Sequence, residues 1–232
     1  MDKVEISSII RETGVIAIMR AQSSDQLIAA ADAIKRGGVR AIEVTMTTPG
    51  ALHVIAEAKG RYGSDVIFGA GTVLDAETGR AAILAGADFV VSPTLNLELV
   101  ALCNRYSIPV APGCYSPTEV LTGWQAGADF IKLFQQKISF LLVQGQKMPV
   151  MDLKIMAAIC ETADKFGKTV ALHHTDSDGL KIGLEAGVNS FEHVPVDYPV
   201  TIRDMGQLHT NNAMVVPTAT TSFALGFQKE GD

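Results

Sequence analysis

Short apolar runs alternate along the chain with stretches in which apolar residues recur every three or four positions. Runs that are almost continuously apolar are typical of parallel strands, because such strands are covered on both faces. The stretches between them have the spacing of amphipathic helices. We predict eight strands, which cover residues 14–20, 40–45, 65–71, 88–93, 107–113, 129–134, 169–174 and 189–194.

The helical pattern is clear in the segment SSDQLIAAADAIKRGG, which follows the first apolar run. Leu27, Ala31 and Ile34 fall on one face of a helix there. A serine at its start can cap the N-terminus, and Gly37 can end the helix. The first strand and this helix together therefore form one β/α unit.

Four segments repeat the order helix end, glycine, strand: RGGVRAIEV, LAGADFVVS, QAGADFIKL and EAGVNSFEH. A repeated β/α unit predicts a (β/α)₈ TIM-type barrel, with a doubly wound parallel sheet as the second possibility. The segment AMVVPTATT, residues 213–221, resembles a ninth strand, for which an eight-stranded barrel has no place. No linker rich in Pro, Gly or Ser divides the chain, so we expect residues 1–232 to form a single barrel domain.

Composition and charge narrow the classes of partner. Hydrophobic residues make up 47% and charged residues 19% of the 232 positions, as in soluble globular proteins. The net charge of −6 disfavours nucleic acid as a partner, and no apolar run is long enough to cross a membrane. The N-terminal segment carries acidic residues and is not a signal peptide. Three widely spaced cysteines suggest reduced thiols, so we expect a cytoplasmic protein.

In a parallel barrel the active site forms where strands end and the following loops begin. Glu43 and Lys132 are the most unusual residues near such ends, because both interrupt apolar strands, where an unpaired charge is costly. The full set of candidates at strand ends comprises Arg20, Glu43, Thr45, Thr72, Pro93, Lys132, His173, His174 and His193.

A lysine among apolar side chains can supply a neutral amine, which attacks a ketone to form a Schiff base. The cationic nitrogen of that Schiff base draws electrons from the adjacent carbon, and a nearby carboxylate can carry the protons. Lys132 and Glu43 have the chemistry for these two roles. A structural ion pair inside the barrel accounts for the same two residues, and the sequence pattern leaves both interpretations open.

Residues 1–134 resemble the bacterial 2-keto-3-deoxy-6-phosphogluconate (KDPG) and 4-hydroxy-2-oxoglutarate (KHG) aldolases. The segments GVIAIMR, GGVRAIEVTMTTPGAL, GAGTVLDAE, AGADFVVSPTLN, IPVAPGCYSPTEV and AGADFIKLF follow the pattern of that family in order. The resemblance implies that Lys132 is the Schiff-base lysine and Glu43 the general acid–base. It also implies that Thr72 and Pro93 lie against the pyruvate portion, that no cofactor is needed, and that the protein forms a homotrimer.

Recognition of the substrate carboxylate departs from the family pattern. Many members of the family place an arginine two residues after the threonine of EVT, which is Thr45 here. This chain has Thr47 at that place. We include Thr45 and Thr47 among the substrate-binding residues, and Arg20, at the end of the first strand, is a candidate replacement for the missing arginine.

The aldolase resemblance ends after Phe134. The family continues with FPA and later has a glycine pair and a Gly-Ser turn whose backbone amides bind phosphate. Gln135 and Gln136 stand in place of PA here, and no glycine pair follows TVALHH or SFEHV. We therefore expect a small 2-keto acid as substrate, with recognition of phosphate lost.

Residues 150–221 are similar instead to the imidazolonepropionase/prolidase-like metal-dependent amidohydrolases, through VALHH, LEAGVNSFEHV and MVVPTATT. That resemblance implies His173 and His193 as metal ligands, and Glu192 or Asp176 could add a donor. A catalytic zinc centre needs at least three protein ligands, and the His-x-His pair of that family is missing, so we expect no functional metal.

An aldolase-like portion, residues 1–134, joined without a linker to an amidohydrolase-like portion, residues 135–232, suggests a recombined or engineered chimera. Three functions stay open. The first is a class I aldolase that cleaves a short 2-keto acid to pyruvate and an aldehyde. The others are a metal-dependent hydrolase and a catalytically incomplete barrel scaffold. The aldolase leads, because Glu43 and Lys132 are both present.

Overall fold

Strands and helices alternate throughout the computed structural model, which describes residues 1–13, 16–19, 24–134, 150–193, 195 and 199–216. The strands within these ranges are β1 (Ile16–Met19), β2 (Ala41–Thr45), β3 (Ile67–Gly71), β4 (Phe89–Val91), β5 (Val110–Ala111), β6 (Ile131–Phe134), β7 (Val170–His173), β8 (Ser190–Glu192) and β9 (Met214–Val216). The helices are α1 (Lys3–Thr13), α2 (Ser24–Arg36), α3 (Ala51–Tyr62), α4 (Ala76–Leu84), α5 (Leu97–Arg105), α6 (Pro117–Gln125), α7 (Leu153–Lys165), α8 (Ser177–Ala186) and α9 (Ile202–Thr210).

Every strand pairing within the two sheets is parallel, as the apolar runs predict. Strands β1 to β5 form one hydrogen-bonded sheet in sequence order, and β6 to β9 form a second. An isolated parallel bridge between Gly113 and Lys132 links the two sheets. Strand β9 lies beside β1, so the strands follow one another around a barrel. The predicted α/β alternation with parallel strands is confirmed.

The ninth apolar run is part of the sheet. Met214, Val215 and Val216 pair in parallel with Ser190, Phe191 and Glu192 of β8. An eight-stranded barrel has no place for this strand, but the structure gives it one between β8 and β1. Its pairing with β8 satisfies backbone groups along that edge of β8. The rest of the predicted segment, residues 217–221, lies outside the described residues.

Side chains alternate between the outside and the inside of the barrel, with the period of two that strands impose. On β2, Ile42 and Val44 pack outward against the helices in a core that includes Leu27 and Ala31 of α2. A second outer core joins β6 to β9 with α7 and α8. The inward positions of β2 are Ala41, Glu43 and Thr45, so the polar residues of this strand are directed to the interior of the barrel.

Helix α1 covers the amino end of the barrel. Ile6, Ile9 and Ile10, spaced as one face of a helix, pack with Ala41, Ile67, Phe89, Val91 and Phe130 in the barrel interior. Helix α1 is not among the elements predicted from the sequence. Because α1 covers the amino end, the opposite end, where the strands finish, remains for the loops that follow them.

The three cysteines and the lengths of the helices can be compared with the sequence expectations of reduced thiols and of no membrane-crossing segment. Cys103, Cys114 and Cys160 are all free and buried. Burial raises the pKa of Cys103 and of Cys114 to about 12 and that of Cys160 to about 11, so these thiols act as apolar packing groups. Among the described residues, no helix combines the length and apolar character that crossing a bilayer requires.

Candidate active site

Lys132 and Glu43 both face the barrel interior. Lys132 lies on β6 and Glu43 on β2, and their exposed fractions are 9% and 3%. The alternation along β6 directs Ile131 and Leu133 outward to the helices. Lys132 is thereby directed inward, where it lines the same cavity as Glu43. The structure thus brings together the two residues that the sequence singles out, although they are 89 positions apart in the chain.

A glycine on the neighbouring strand makes room for Glu43. Gly71, the last residue of β3, lies beside Thr45 in the parallel register. A Cβ atom at Gly71 would overlap the carboxyl group of Glu43. The absence of a side chain at position 71 therefore permits the orientation of the Glu43 carboxylate.

Glu192 adds a third ionisable group to this cavity. It lies on β8, is 5% exposed, and lines the cavity with Lys132 and Glu43. Burial raises the pKa of Glu192 to about 7. The ammonium of Lys132 opposes that shift in pKa, the carboxylate of Glu43 adds to it, and a hydrogen bond from the hydroxyl of Ser190 opposes it.

The sequence pattern indicated Glu192 only as an additional metal donor and not as a residue that shares a cavity with Lys132. One signal was available. In SFEHV, alternation puts Ser190 and Glu192 on the face opposite Phe191, and Phe191 is the apolar residue that belongs in the outer core.

The cavity is small and its walls are largely apolar. Its volume is about 60 Å³, enough for several water-sized groups at about 10–15 Å³ each. Arg11 of α1 also lines the cavity, and its guanidinium lies 5.4 Å from the centre of the Phe130 ring. Apolar walls weaken dielectric screening, so the charged groups in the cavity interact strongly. The apolar lining residues include Ile10, Ile16, Phe89, Val91, Ala111, Phe130, Ala171 and Met214.

Threonine hydroxyls cluster where β2 ends, two residues beyond Glu43. The Oγ1 atom of Thr45 lies 3.2 Å from Oγ1 of Thr47 and 3.2 Å from Oγ1 of Thr48. Thr45 and Thr48 are buried. The two threonines predicted to bind substrate are therefore adjacent, and a third hydroxyl joins them. These hydroxyls can both donate and accept hydrogen bonds.

The other predicted substrate-binding residues lie at neighbouring strand ends. Thr72 follows β3 directly and has a φ of 58°, a left-handed conformation that is unusual for a β-branched residue. Pro93 follows β4 and accepts a hydrogen bond of 3.3 Å from the hydroxyl of Tyr115 through its carbonyl oxygen. Arg20 lies outside the described residues, so its role stays a prediction.

His173 and His193 form a buried pair at the ends of β7 and β8. A hydrogen bond of 3.0 Å joins Nε2 of His193 to Nδ1 of His173. The ring of His173 also stacks on Phe134, with 4.2 Å between the ring centres. His193 has a φ of 77°. His174, as the alternation predicts, faces the other side and packs edge-on against Phe191.

This pairing gives no support to the alternative metal centre. A ring nitrogen that shares a proton with the partner histidine is not available to a metal ion at the same time. Within the described ranges, no group of three or more His, Cys, Asp or Glu side chains is arranged to hold a metal ion. The donor set that the amidohydrolase resemblance implies at His173 and His193 is therefore not assembled in this part of the chain.

A parallel β/α barrel with a buried lysine and acidic groups in its interior is an arrangement found among the lysine-dependent, or class I, aldolases. Within that class, the chain belongs to the KDPG and KHG aldolase family, whose family model matches residues 6–165.

Curated relatives agree with this assignment. The 2-dehydro-3-deoxy-phosphogluconate aldolase of Treponema pallidum (strain Nichols) is 34% identical over 135 residues, which are 58% of this chain and 64% of the relative. The 2-dehydro-3-deoxy-6-phosphogalactonate aldolase of Escherichia coli (strain K12) is 32% identical over 120 residues, 52% of this chain and 58% of the relative. The chain thus spans less than two thirds of the length of these two relatives.

Solved structures show the same fold. A structure described as native KDPGal superposes with a TM-score of 0.63 and covers 91% of this chain and 94% of its own, at 22% identity. The KDPG aldolase of Legionella pneumophila, with pyruvate captured as a covalent carbinolamine intermediate, has a TM-score of 0.51 at 28% identity. That match covers 55% of this chain and 61% of the Legionella chain.

The comparisons give no support to the expectation of a chimera. The aldolase family model continues past Phe134 to residue 165, and the KDPGal fold covers most of the segment assigned above to an amidohydrolase-like portion. Neither finding supports a separate origin for residues 150–221.

Proposed function

We propose that this protein is a class I aldolase that cleaves a short 2-keto acid into pyruvate and an aldehyde. The observation that carries the proposal is the buried Lys132, which shares an interior cavity with the carboxyl groups of Glu43 and Glu192. A structural ion pair needs only one carboxylate, whereas this cavity holds two. The covalent pyruvate intermediate in the Legionella relative supports the same chemistry.

The proposed reaction begins with attack of the Lys132 amine on the C2 carbonyl of the substrate. The resulting carbinolamine loses water and becomes a cationic imine. Glu43 removes the proton of the C4 hydroxyl, the bond between C3 and C4 breaks, and the aldehyde leaves. The electron pair of the broken bond flows to the imine and forms an enamine, which takes at C3 the proton that Glu43 removed. Water then hydrolyses the pyruvate imine and frees the lysine.

The substrate is proposed to be held where the strands end. Thr45, Thr47, Thr72 and Pro93 lie at the carboxyl ends of β2, β3 and β4, the end of a parallel barrel that binds substrates. The hydroxyls of Thr45 and Thr47 are suited to the substrate carboxylate, because each can donate a hydrogen bond. Arg20 stays in the proposal through its place in the sequence alone.

Phosphorylated substrates are proposed to have no strong advantage. His173 and His193 occupy the ends of β7 and β8, where the family resemblance leads us to expect glycine-containing turns. Imidazole rings joined to each other offer fewer donors to a phosphate than a row of backbone amides. The proposal includes no cofactor, and the homotrimer implied by the resemblance stays a prediction.

Reductive trapping tests the proposal. Incubation with pyruvate and borohydride should add the mass of a reduced adduct, which peptide mapping should place on Lys132. The Lys154→Ala variant is the matched control, because Lys154 is an exposed lysine of α7. Adduct should form in the wild-type protein and in Lys154→Ala but not in Lys132→Ala. Absence of adduct from the wild-type protein, or its persistence in Lys132→Ala, would overturn the proposal.

A further inference from the structure

The carboxyl group of Glu192 has no role in the steps assigned so far. It nevertheless faces the same apolar cavity as Lys132 and Glu43, and its residue is 95% buried. Acidic side chains are rarely buried in this way unless they are paired or functional, because desolvation of the charged form is unfavourable. Its position is fixed by β8, which pairs on both sides, with β7 and with β9.

The charged surroundings of Glu192 suit the transfer of a proton. Lys132 on β6 favours its ionised form, whereas burial and Glu43 on β2 favour its protonated form. On α1, Arg11 lines the same cavity. On β7, His173 is the residue paired with Glu192. With its pKa at about 7, Glu192 can both accept and donate a proton near neutral pH.

The charge of Glu43 disfavours ionisation of the Glu192 carboxyl group in this apolar cavity. Two carboxyl groups in different environments of one site can take different catalytic roles. Glu43 lies at the end of the barrel where β2 meets Gly71 and the threonine cluster, on the side proposed to hold the substrate. Glu192 lies on the other sheet, the one that contains Lys132.

We propose that Glu192 is a second catalytic acid–base group, which removes a proton from the Lys132 ammonium and returns it when the carbinolamine loses water. This inference rests on the proposed aldolase function, and it separates the formation of the imine from the cleavage of the carbon–carbon bond. Glu192 acts in the former step and Glu43 in the latter.

The protons balance over imine formation. The Glu192 carboxylate takes one proton from the ammonium, and the neutral amine forms a C–N bond to C2 of the keto acid. A second proton of the nitrogen moves to the former carbonyl oxygen and gives the neutral carbinolamine. Protonated Glu192 then donates to that hydroxyl, the C–O bond breaks, and water leaves. The products are the cationic imine, one water molecule and the Glu192 carboxylate, as at the start.

Timed borohydride quenching after mixing with pyruvate measures the rate of imine formation. The variants are Glu192→Gln, which keeps the shape but transfers no proton, and Glu192→Asp, which keeps the carboxyl group. Glu185→Gln is the matched control, because Glu185 is an exposed glutamate of α8. Imine formation by Glu192→Gln should be slower by about 10²-fold or more. Its final extent of labelling at Lys132 should remain that of the wild-type protein.

The pH profile separates catalysis from a structural role. In the wild-type protein and in Glu185→Gln the rate should rise through the pKa of Glu192 near 7. That rise should be absent from Glu192→Gln and partly restored in Glu192→Asp. Wild-type rate and pH profile in a folded Glu192→Gln would overturn the assignment of Glu192 while leaving Lys132 in place. If Glu192→Gln does not fold, the pH dependence of the rate of imine formation in Glu192→Asp tests the assignment instead. A midpoint of that profile equal to the wild-type midpoint would overturn the assignment of Glu192. Absence of any adduct from the wild-type protein would instead overturn the proposed aldolase function, and this inference with it.

Discussion

The carboxyl group of Glu43 occupies the space that a side chain on Gly71 would need. These residues lie on neighbouring strands, β2 and β3, and a Cβ atom at position 71 would overlap Oε1 of Glu43. The orientation of the proposed general acid–base thus depends on the absence of a side chain on another strand. A substitution at position 71, which is remote from Lys132 in sequence, should therefore alter catalysis.

Gly71→Ala should displace the carboxyl group of Glu43 and lower kcat by about 10²-fold or more, the contribution typical of a general acid–base. The labelling of Lys132 by pyruvate and borohydride should persist, because imine formation is not assigned to Glu43. Steady-state kinetics and adduct mass together measure the two effects.

The matched control for Gly71→Ala is Gly60→Ala. Gly60 lies inside α3, and nothing lies within 4 Å of a Cβ atom placed there. This substitution should leave kcat unchanged and stabilise the fold by about 0.5–1 kcal/mol, because alanine favours the helix. Wild-type kcat in Gly71→Ala would show that Glu43 does not need its observed orientation.

Cleavage of phosphorylated and unphosphorylated substrates should differ little. A phosphate held by several charge-assisted hydrogen bonds gains about 1.5–3 kcal/mol from each of them. With histidines at the ends of β7 and β8, we expect kcat/KM for KDPG to exceed that for its unphosphorylated analogue by less than about 100-fold, or about 2.7 kcal/mol. Lys132→Ala should abolish both activities. A larger preference would mean that the protein holds phosphate by groups not recognised above.

The stability of the fold should fall as pH rises from 5 to 8, because Glu192 holds its proton more tightly in the folded state. Its pKa is raised from 4.5 to about 7, so the folded protein binds more protons than the unfolded chain between these values. The stabilisation is complete below pH 4.5 and is lost as pH rises through 7. Each pH unit in this interval corresponds to about 1.4 kcal/mol, which gives a loss on the order of 2–3 kcal/mol.

Urea unfolding at pH 5 and pH 8 measures this dependence. Glu192→Gln lacks the titrating group, so its free energy of unfolding should change less between the two pH values than that of the wild-type protein. Glu185→Gln should behave as the wild-type protein, because Glu185 is exposed. Equal pH dependence in Glu192→Gln and in the wild-type protein would contradict the raised pKa of Glu192.

Gly183→Ala should destabilise the protein by about 1–3 kcal/mol, the usual cost of overpacking. A Cβ atom at Gly183, on α8, would lie 2.5 Å from Cε1 of Phe191 and 2.6 Å from Cδ2 of Leu172. Both side chains are buried in the outer core. Gly206→Ala on α9 meets no atom within 4 Å and is the control. Denaturant unfolding of both variants checks the difference, and equal stability would show that α8 can shift away from β8.

The sequence by itself determined the local elements and the main chemistry. Apolar runs placed the strands because burial on both faces excludes polar residues, and glycines after helices marked the points where strands begin. Lys132 and Glu43 could be recognised because a charge inside an apolar run is costly unless it has a function. The aldolase motifs pointed to the family that the comparisons show.

Only the tertiary structure decided which distant residues meet. Glu192 joins Lys132 and Glu43 because strand order and register bring β8, β6 and β2 around one interior, and neither can be read from a single segment. The position of β9 beside β1 and the packing of α1 in the barrel depend on long-range contacts for the same reason. Local sequence sets the period and the hydrophobic face of an element, whereas pairing across the barrel sets the environment of each charge, and with it the pKa that directs the chemistry.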